Sequence, residues 1–112
     1  MRIVFKTTKL EKLANSEKLA VQRLGKQCAR KLRIRFDELD AATSLDDMRY
    51  LPAARCHELK GKLKDFLAVD LHGGWRIVFE PVKQPPPLKH DGGLDWTAID
   101  AIHVTEITNY HD

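Results

Sequence analysis

The sequence predicts an α+β fold in which an N-terminal strand and two helices pack on one side of a mainly antiparallel sheet. Two observations point there. In the first part of the chain apolar residues recur every three or four positions, as on a helix; from Arg55 onward the period falls to two, as on strands. One strand, then helices, then a run of strands is the order of helices laid against an antiparallel sheet. At 112 residues the chain matches one domain with one hydrophobic core. There is no internal repeat.

Arg2 to Lys6 alternates as a short first strand, and Thr8-Lys9-Leu10-Glu11 has the form of a capping box opening a short helix. Ser16 can cap a second, longer helix, along which Ala20, Leu24, Cys28, Leu32, Phe36 and Leu39 form one apolar stripe. The same helix carries Arg23, Lys26, Arg30, Lys31, Arg33 and Arg35 mostly off that stripe, so a basic outer surface is expected. Ser44-Leu45-Asp46-Asp47 can open one further turn that Leu51-Pro52 ends. Phe66 to Leu71 and Trp75 to Glu80 flank His72-Gly73-Gly74, whose glycines suit a tight hairpin. On its second strand Trp75, Ile77 and Phe79 share one face, with Trp75 read as a core anchor, and Arg76, Val78 and Glu80 share the other. Residues 81–95 contain Pro85-Pro86-Pro87 and Asp91-Gly92-Gly93 and read as a long exposed loop, before a last strand from Ala98 to Ile107.

Composition excludes several classes. With 43% hydrophobic residues the chain is neither disordered nor fibrous. Its first residues, MRIVFKTTKLEKL, reach charge too soon for the apolar core of a signal peptide, and no later run approaches membrane-spanning length, so a cytoplasmic location is expected. Cys28 and Cys56 stand outside any Cys-x-x-Cys or Cys/His ligand spacing, which leaves a zinc site or disulfide framework without support and predicts reduced, inert thiols.

The net charge of +3 hides an asymmetry. Residues 1–36 hold eleven Lys/Arg against two Glu, a local charge of +9, whereas residues 37–112 hold eight against fourteen Asp/Glu, a local charge of −6. A concentrated basic half favours a polyanion such as RNA, whose phosphates shed counterions when Lys and Arg replace them; a solvated helix face is the plainer alternative.

Three stretches carry groups able to act on a phosphodiester: Arg55 to Gly61, Gly74-Trp75-Arg76, and Tyr110-His111. RNA supplies its own nucleophile, the 2′-hydroxyl, so an enzyme needs a base to take its proton, an acid for the departing 5′ oxygen, and a cation for the charge on phosphorus. His57, His111, Tyr110, Lys60 and Arg76 cover these needs without a metal or other cofactor. Each also has an ordinary structural role open to it. His57 and His111 can be hydrogen-bonded structural residues, Arg76 can pair with Glu80 or Asp70, and Tyr110 can pack a chain end. His72 and His90 fall in turns as bystanders, His103 can belong to either strand face, and no pair of these histidines has a metal-binding spacing.

The run Arg55-Cys56-His57-Glu58-Leu59-Lys60-Gly61, followed by Trp75-Arg76-Ile77-Val78-Phe79 and Tyr110-His111, resembles the HigB-type plasmid-maintenance killer proteins of the RelE/ParE superfamily. The resemblance covers nearly the whole chain and rests on the combination and order of these pieces. It implies a RelE-like fold, ribosome-dependent cleavage of messenger RNA in the decoding site, and neutralisation by a helix-turn-helix (HigA-like) antitoxin. It also implies that His57, Lys60, Arg76, Tyr110 and His111 are the functional residues. Arg23, Lys26, Arg30, Lys31 and Arg33, with Lys62 and Lys64, are then the candidate contacts to nucleic acid. Two departures stand out: Asn109 occupies the place where the compared proteins often carry Asp, and the loop at 81–95 is longer than in the shortest relatives. A ParE-like toxin that binds DNA gyrase and cleaves nothing is the alternative from another class, and a non-catalytic RNA-binding module is a third.

Overall fold

A computed structural model describes residues 1–109. Five strands, β1 (Arg2–Phe5), β2 (His57–Glu58), β3 (Leu67–Asp70), β4 (Trp75–Pro81) and β5 (Ala101–Asn109), form one sheet in the order β1-β5-β4-β3-β2. Only the β1–β5 pairing is parallel among the described strands; the other three are antiparallel. Three helices, α1 (Thr8–Asn15), α2 (Glu17–Leu24) and α3 (Lys26–Ala41), follow β1, and a 3-10 helix at Leu45–Tyr50 leads into another at Pro52–Ala54.

The helical segment breaks where the sequence reading ran it through. Gly25 adopts φ 83 and ψ 163, a backbone region open in practice only to glycine, so α2 ends there and α3 restarts. Its N–H closes α2 on the Val21 carbonyl and its own carbonyl accepts from Ala29, each at 2.9 Å. An added Cβ at this position meets nothing within 4 Å. Gly25→Ala is therefore expected to destabilise the fold by about 1–3 kcal/mol through backbone strain alone, read as a lowered midpoint in urea; an unchanged midpoint would mean the break tolerates any residue.

The helix starts follow ordinary capping. Thr7, one residue earlier than expected, accepts from the Leu10 N–H, and Ser16 accepts from the Leu19 N–H, both at 3.1 Å.

On the sheet's inner face Ile77 and Phe79 lie beside Leu67 and Val69 of β3 and Val104 and Ile102 of β5, all 0% exposed. Against them pack Ala29, Leu32, Phe36 and Leu39 of α3, with Ala14 and Ala20 from the shorter helices. Removing this apolar surface from water, at about 25 cal/mol per Å², is the main force holding the two layers together. On β5 the inward residues are Ile102 and Val104 and then, out of step, Ile107. A β-bulge opposite Val78 and Phe79, with Thr105 as the extra residue, absorbs the change of parity.

The hairpin forms as expected, with Gly73 and Gly74 both at positive φ and Leu71 donating to the Trp75 carbonyl at 2.8 Å. Trp75 departs from expectation: at the strand's mouth it is half-buried and stands outside the core, while Trp96 supplies the deeply buried indole. The last strand begins at Ala101 because residues Trp96–Ala98 form a 3-10 turn. Pro81, expected to open the loop, instead closes β4 opposite Ile102 and is buried; residues 82–95 are irregular, as their prolines dictate, but are tied down by buried Leu94 and by a bridge between Leu88 and Leu94.

Arg35 is the largest correction. It was expected on the basic surface, yet it is 3% exposed. It occupies the apolar stripe itself, at the 28, 32, 35, 39 spacing of Cys28, Leu32 and Leu39. Its guanidinium is satisfied throughout: Nε donates to the Asp70 carbonyl at 2.8 Å, Nη2 to the Ala53 carbonyl at 2.9 Å, and Nη1 to Glu38 Oε1 at 2.9 Å. A buried cation without such partners would cost several kcal/mol.

Candidate active face

Because strand side chains alternate, the sheet has a second face turned away from the helices. In register on that face lie His57, Ala68, Val78 and Glu106, and beside this row Asp70, Arg76 and Thr108. His57 on β2 and Arg76 on β4 therefore point to the same side. Two strand spacings and two residues apart, their Cα atoms are about 12 Å from each other by sheet geometry, a span that two long side chains can close around one phosphate group. Arg76 is 8% exposed and His57 half-buried. Between them the floor is apolar and small, with Ala68 and Val78 both buried.

His57 is oriented by its own chain. Its Nδ1 donates to the Arg55 carbonyl at 2.7 Å. A carbonyl oxygen only accepts, so the bond requires the proton on Nδ1 and leaves Nε2 of the neutral ring as a proton acceptor. Glu58, the next residue, faces the other way and takes the indole N–H of Trp96 at 3.1 Å, while the Arg49 guanidinium stacks 3.9 Å from that ring's centre. The pair thus divides by strand alternation: Glu58 fastens the strand and His57 is presented.

Arg55 itself sits in the left-handed region at φ 43 and grips Asp70 with two bonds, Nε to Oδ2 at 2.5 Å and Nη2 to Oδ1 at 3.1 Å. Glu80, the other acid considered for Arg76, accepts from His103 Nδ1 at 3.1 Å, which places His103 on the outer face. Sequence reasoning did not find these pairings because cross-strand register is invisible in one chain; the stripe spacing of Arg35 was a usable signal.

The remaining candidates are dispersed. Lys60 is exposed just after β2, at the start of a 3-10 turn spanning Gly61–Leu63, and exposed Lys62 and Lys64 follow in the same connection. Arg23, Lys26, Arg30 and Arg33 are exposed and Lys31 half-buried on α2 and α3, so they belong to the helix layer on the opposite side of the sheet from His57 and Arg76. Arg33 pairs with Asp37 at 3.1 Å and also donates to the Ala14 carbonyl at 3.2 Å. Tyr110 and His111 lie outside the described residues. The last described residue, Asn109, pairs with Trp75, one step from the Arg76–Thr108 pair.

Burial drives both thiols toward the inert form. The Cys56 thiol is pushed up to about 12, by burial first, with the Arg49 charge opposing and the Glu58 charge adding. The Cys28 thiol is also pushed up by burial, offset in part by a backbone hydrogen bond at His72. A cleft of about 590 Å³ opens between the helices, lined by Leu13, Ala20, Val21 and Ala29 among others, away from the outer sheet face.

Among the described residues no helix is long and apolar enough to cross a membrane. The family model for the RelE-like toxin of the type II toxin-antitoxin system HigB matches residues 4–84. The chain belongs to the HigB-like toxin family. In structure this HigB-like chain is similar to a YoeB/ParE toxin from Agrobacterium tumefaciens, with a TM-score of 0.53 over 99% of this chain and 100% of that one, at 10% identity. That likeness establishes the fold, an α+β fold with helices against a five-stranded mixed sheet, and the family match makes it that of a RelE-like toxin. No curated protein matches the chain in sequence. As a type II toxin of this family, the protein has a cognate antitoxin as its partner.

Proposed function

We propose that this HigB-like toxin is a metal-independent endoribonuclease that cuts messenger RNA on the ribosome. The observation that carries the reading is the common side of His57 and Arg76 on the outer face, with a His57 Nε2 left free to accept a proton. His57 Nε2 takes the 2′-hydroxyl proton, the 2′-oxygen attacks the adjacent phosphorus, and the bond to the 5′ oxygen breaks. Arg76, with Lys60 from the neighbouring connection, stabilises the charge that gathers on the non-bridging oxygens. His111 supplies the proton to the departing 5′ oxygen, and Tyr110 acts through its hydroxyl or stacks on a displaced base. Both follow directly on Asn109, which is paired beside the Arg76 row. Since Asn109 carries no charge, it assists by hydrogen bonding alone.

The exposed cations of α2 and α3, with Lys62 and Lys64, supply the sequence-independent grip on ribosomal RNA. Neutralisation falls to a helix-turn-helix antitoxin of the HigA type.

Induction of the protein in growing cells, followed by primer extension on abundant messages, tests this reading beside a supercoiling assay with purified gyrase. New message ends with unimpaired supercoiling are expected. Intact messages with inhibited gyrase would replace the nuclease by a ParE-like mode of action, and neither effect would leave an RNA-binding module.

A further inference from the structure

We infer that Arg35, Asp70 and Arg55 form a positioning chain that fixes the tautomer and direction of His57. The inference rests on the reading of His57 as the proton acceptor. Its starting point is the buried end of the chain. Arg35 in α3 holds the Asp70 backbone by its carbonyl at 2.8 Å and, with its other arm, the Ala53 carbonyl at 2.9 Å. One guanidinium thereby fixes two segments that are seventeen residues apart: the end of β3 and the 3-10 turn before β2.

Asp70 then reaches outward with its side chain and takes Arg55 in the two-bonded grip, at 2.5 and 3.1 Å. Two parallel bonds between a planar guanidinium and a carboxylate set orientation as well as distance. Arg55 is held at φ 43 and ψ 52, a conformation that a non-glycine residue adopts only where its surroundings enforce it. That conformation directs the Arg55 carbonyl at His57 Nδ1, 2.7 Å away. Every link is a hydrogen bond with an assigned donor and acceptor, and the chain ends on the one ring nitrogen that must carry a proton if Nε2 is to accept one. Asp70 also stands directly opposite Arg76 in the β3–β4 register, so the residue that orients the base is registered to the residue assigned to the phosphate. Arg35, Asp70 and Arg55 are thus positioning residues: none is placed at the reacting atoms.

Asp70→Asn keeps the shape of the side chain and the backbone carbonyl that Arg35 holds, but removes the charge that grips Arg55. The experiment is imidazole nitrogen NMR on the full-length protein, uniformly labelled with nitrogen-15, beside message cleavage by the wild type, Asp70→Asn, His57→Ala and the double variant. The expected result is the Nδ1–H form of His57 in the wild type and, in Asp70→Asn, a shift toward the Nε2–H form that unconstrained histidine side chains prefer. Cleavage is expected to fall at least tenfold in Asp70→Asn and to fall no further when that change is added to His57→Ala, since a positioning residue has nothing left to position. An unchanged tautomer in folded Asp70→Asn, or an equal fold-loss in both backgrounds, would overturn the inference. Arg55→Gln gives a second route to the same readout should Asp70→Asn lose its fold. The ring spectra are read without any substrate, so an inactive wild type with Nδ1–H in place would count against the nuclease reading while this chain of bonds stood.

Discussion

His57→Ala is expected to lower message cleavage by about 10²–10⁴-fold, the range that one positioned acid or base contributes, and to let cells grow while the protein is expressed. The substitution removes the group on the Arg76 side of the outer face whose hydrogen bonding through Nδ1 leaves Nε2 to accept a proton. Its structural cost is small. One hydrogen bond to a carbonyl is lost, about 1 kcal/mol, whereas the inner-face residue of the same strand, Glu58, keeps its bond to Trp96. Primer extension and a urea melt on the same preparation separate the two effects. Full cleavage by a folded His57→Ala protein would remove this histidine from the chemistry.

Arg76→Ala is expected to cost about 10²–10³-fold in cleavage, the loss found when one preorganised charge-stabilising donor is removed. Arg76 is held deep on the face, at 8% exposure, among Asp70, Val78 and Thr108. Little water competes there, so its charge acts on a phosphate through a lower effective dielectric than a surface lysine's would. Arg76→Lys is expected to recover only part of the loss, because an ammonium is a point charge where a guanidinium presents a planar fork. Asp70 remains gripped by Arg55 in both variants, which keeps an unpaired carboxylate from confounding the result. Equal activity of Arg76→Lys and wild type would show that charge alone, without bidentate geometry, is what the site uses.

Much of this arrangement was legible in the sequence because it follows from local rules. The glycines of His72-Gly73-Gly74 set the hairpin, and strand alternation then places Arg76 opposite Ile77 and Phe79 without knowledge of any partner. The same parity rule puts His57 and Glu58 on opposite faces. What stayed hidden depends on partners distant in the chain. The β-bulge at Thr105 shows only once β5 is paired, and the destination of Glu80 at His103 rather than Arg76 is a matter of register. Gly25 looked tolerable inside a continuous stripe because the residues on either side keep the helical period across it. Arg35 was misassigned because it was grouped with the cations lying off the stripe, whereas it shares the stripe's spacing and is buried where two backbone carbonyls and Glu38 meet it. Trp75, expected as a core anchor, is only half-buried because it stands at the mouth of its strand, and the buried indole comes instead from Trp96 in the turn before β5.

The most direct test of the central claim, that this outer face cuts RNA through the substrate's own 2′-hydroxyl, uses purified protein, ribosomes carrying a defined message, and a chelator present in excess over all added transition metals. Magnesium is kept at the level the ribosome needs, and the message is supplied with either an ordinary ribose or a 2′-O-methyl ribose at the cut site. Cleavage of the ordinary message to a 2′,3′-cyclic phosphate end, with the methylated message left whole, is the predicted result. Equal cleavage of both messages would show that the nucleophile comes from elsewhere and would contradict the account.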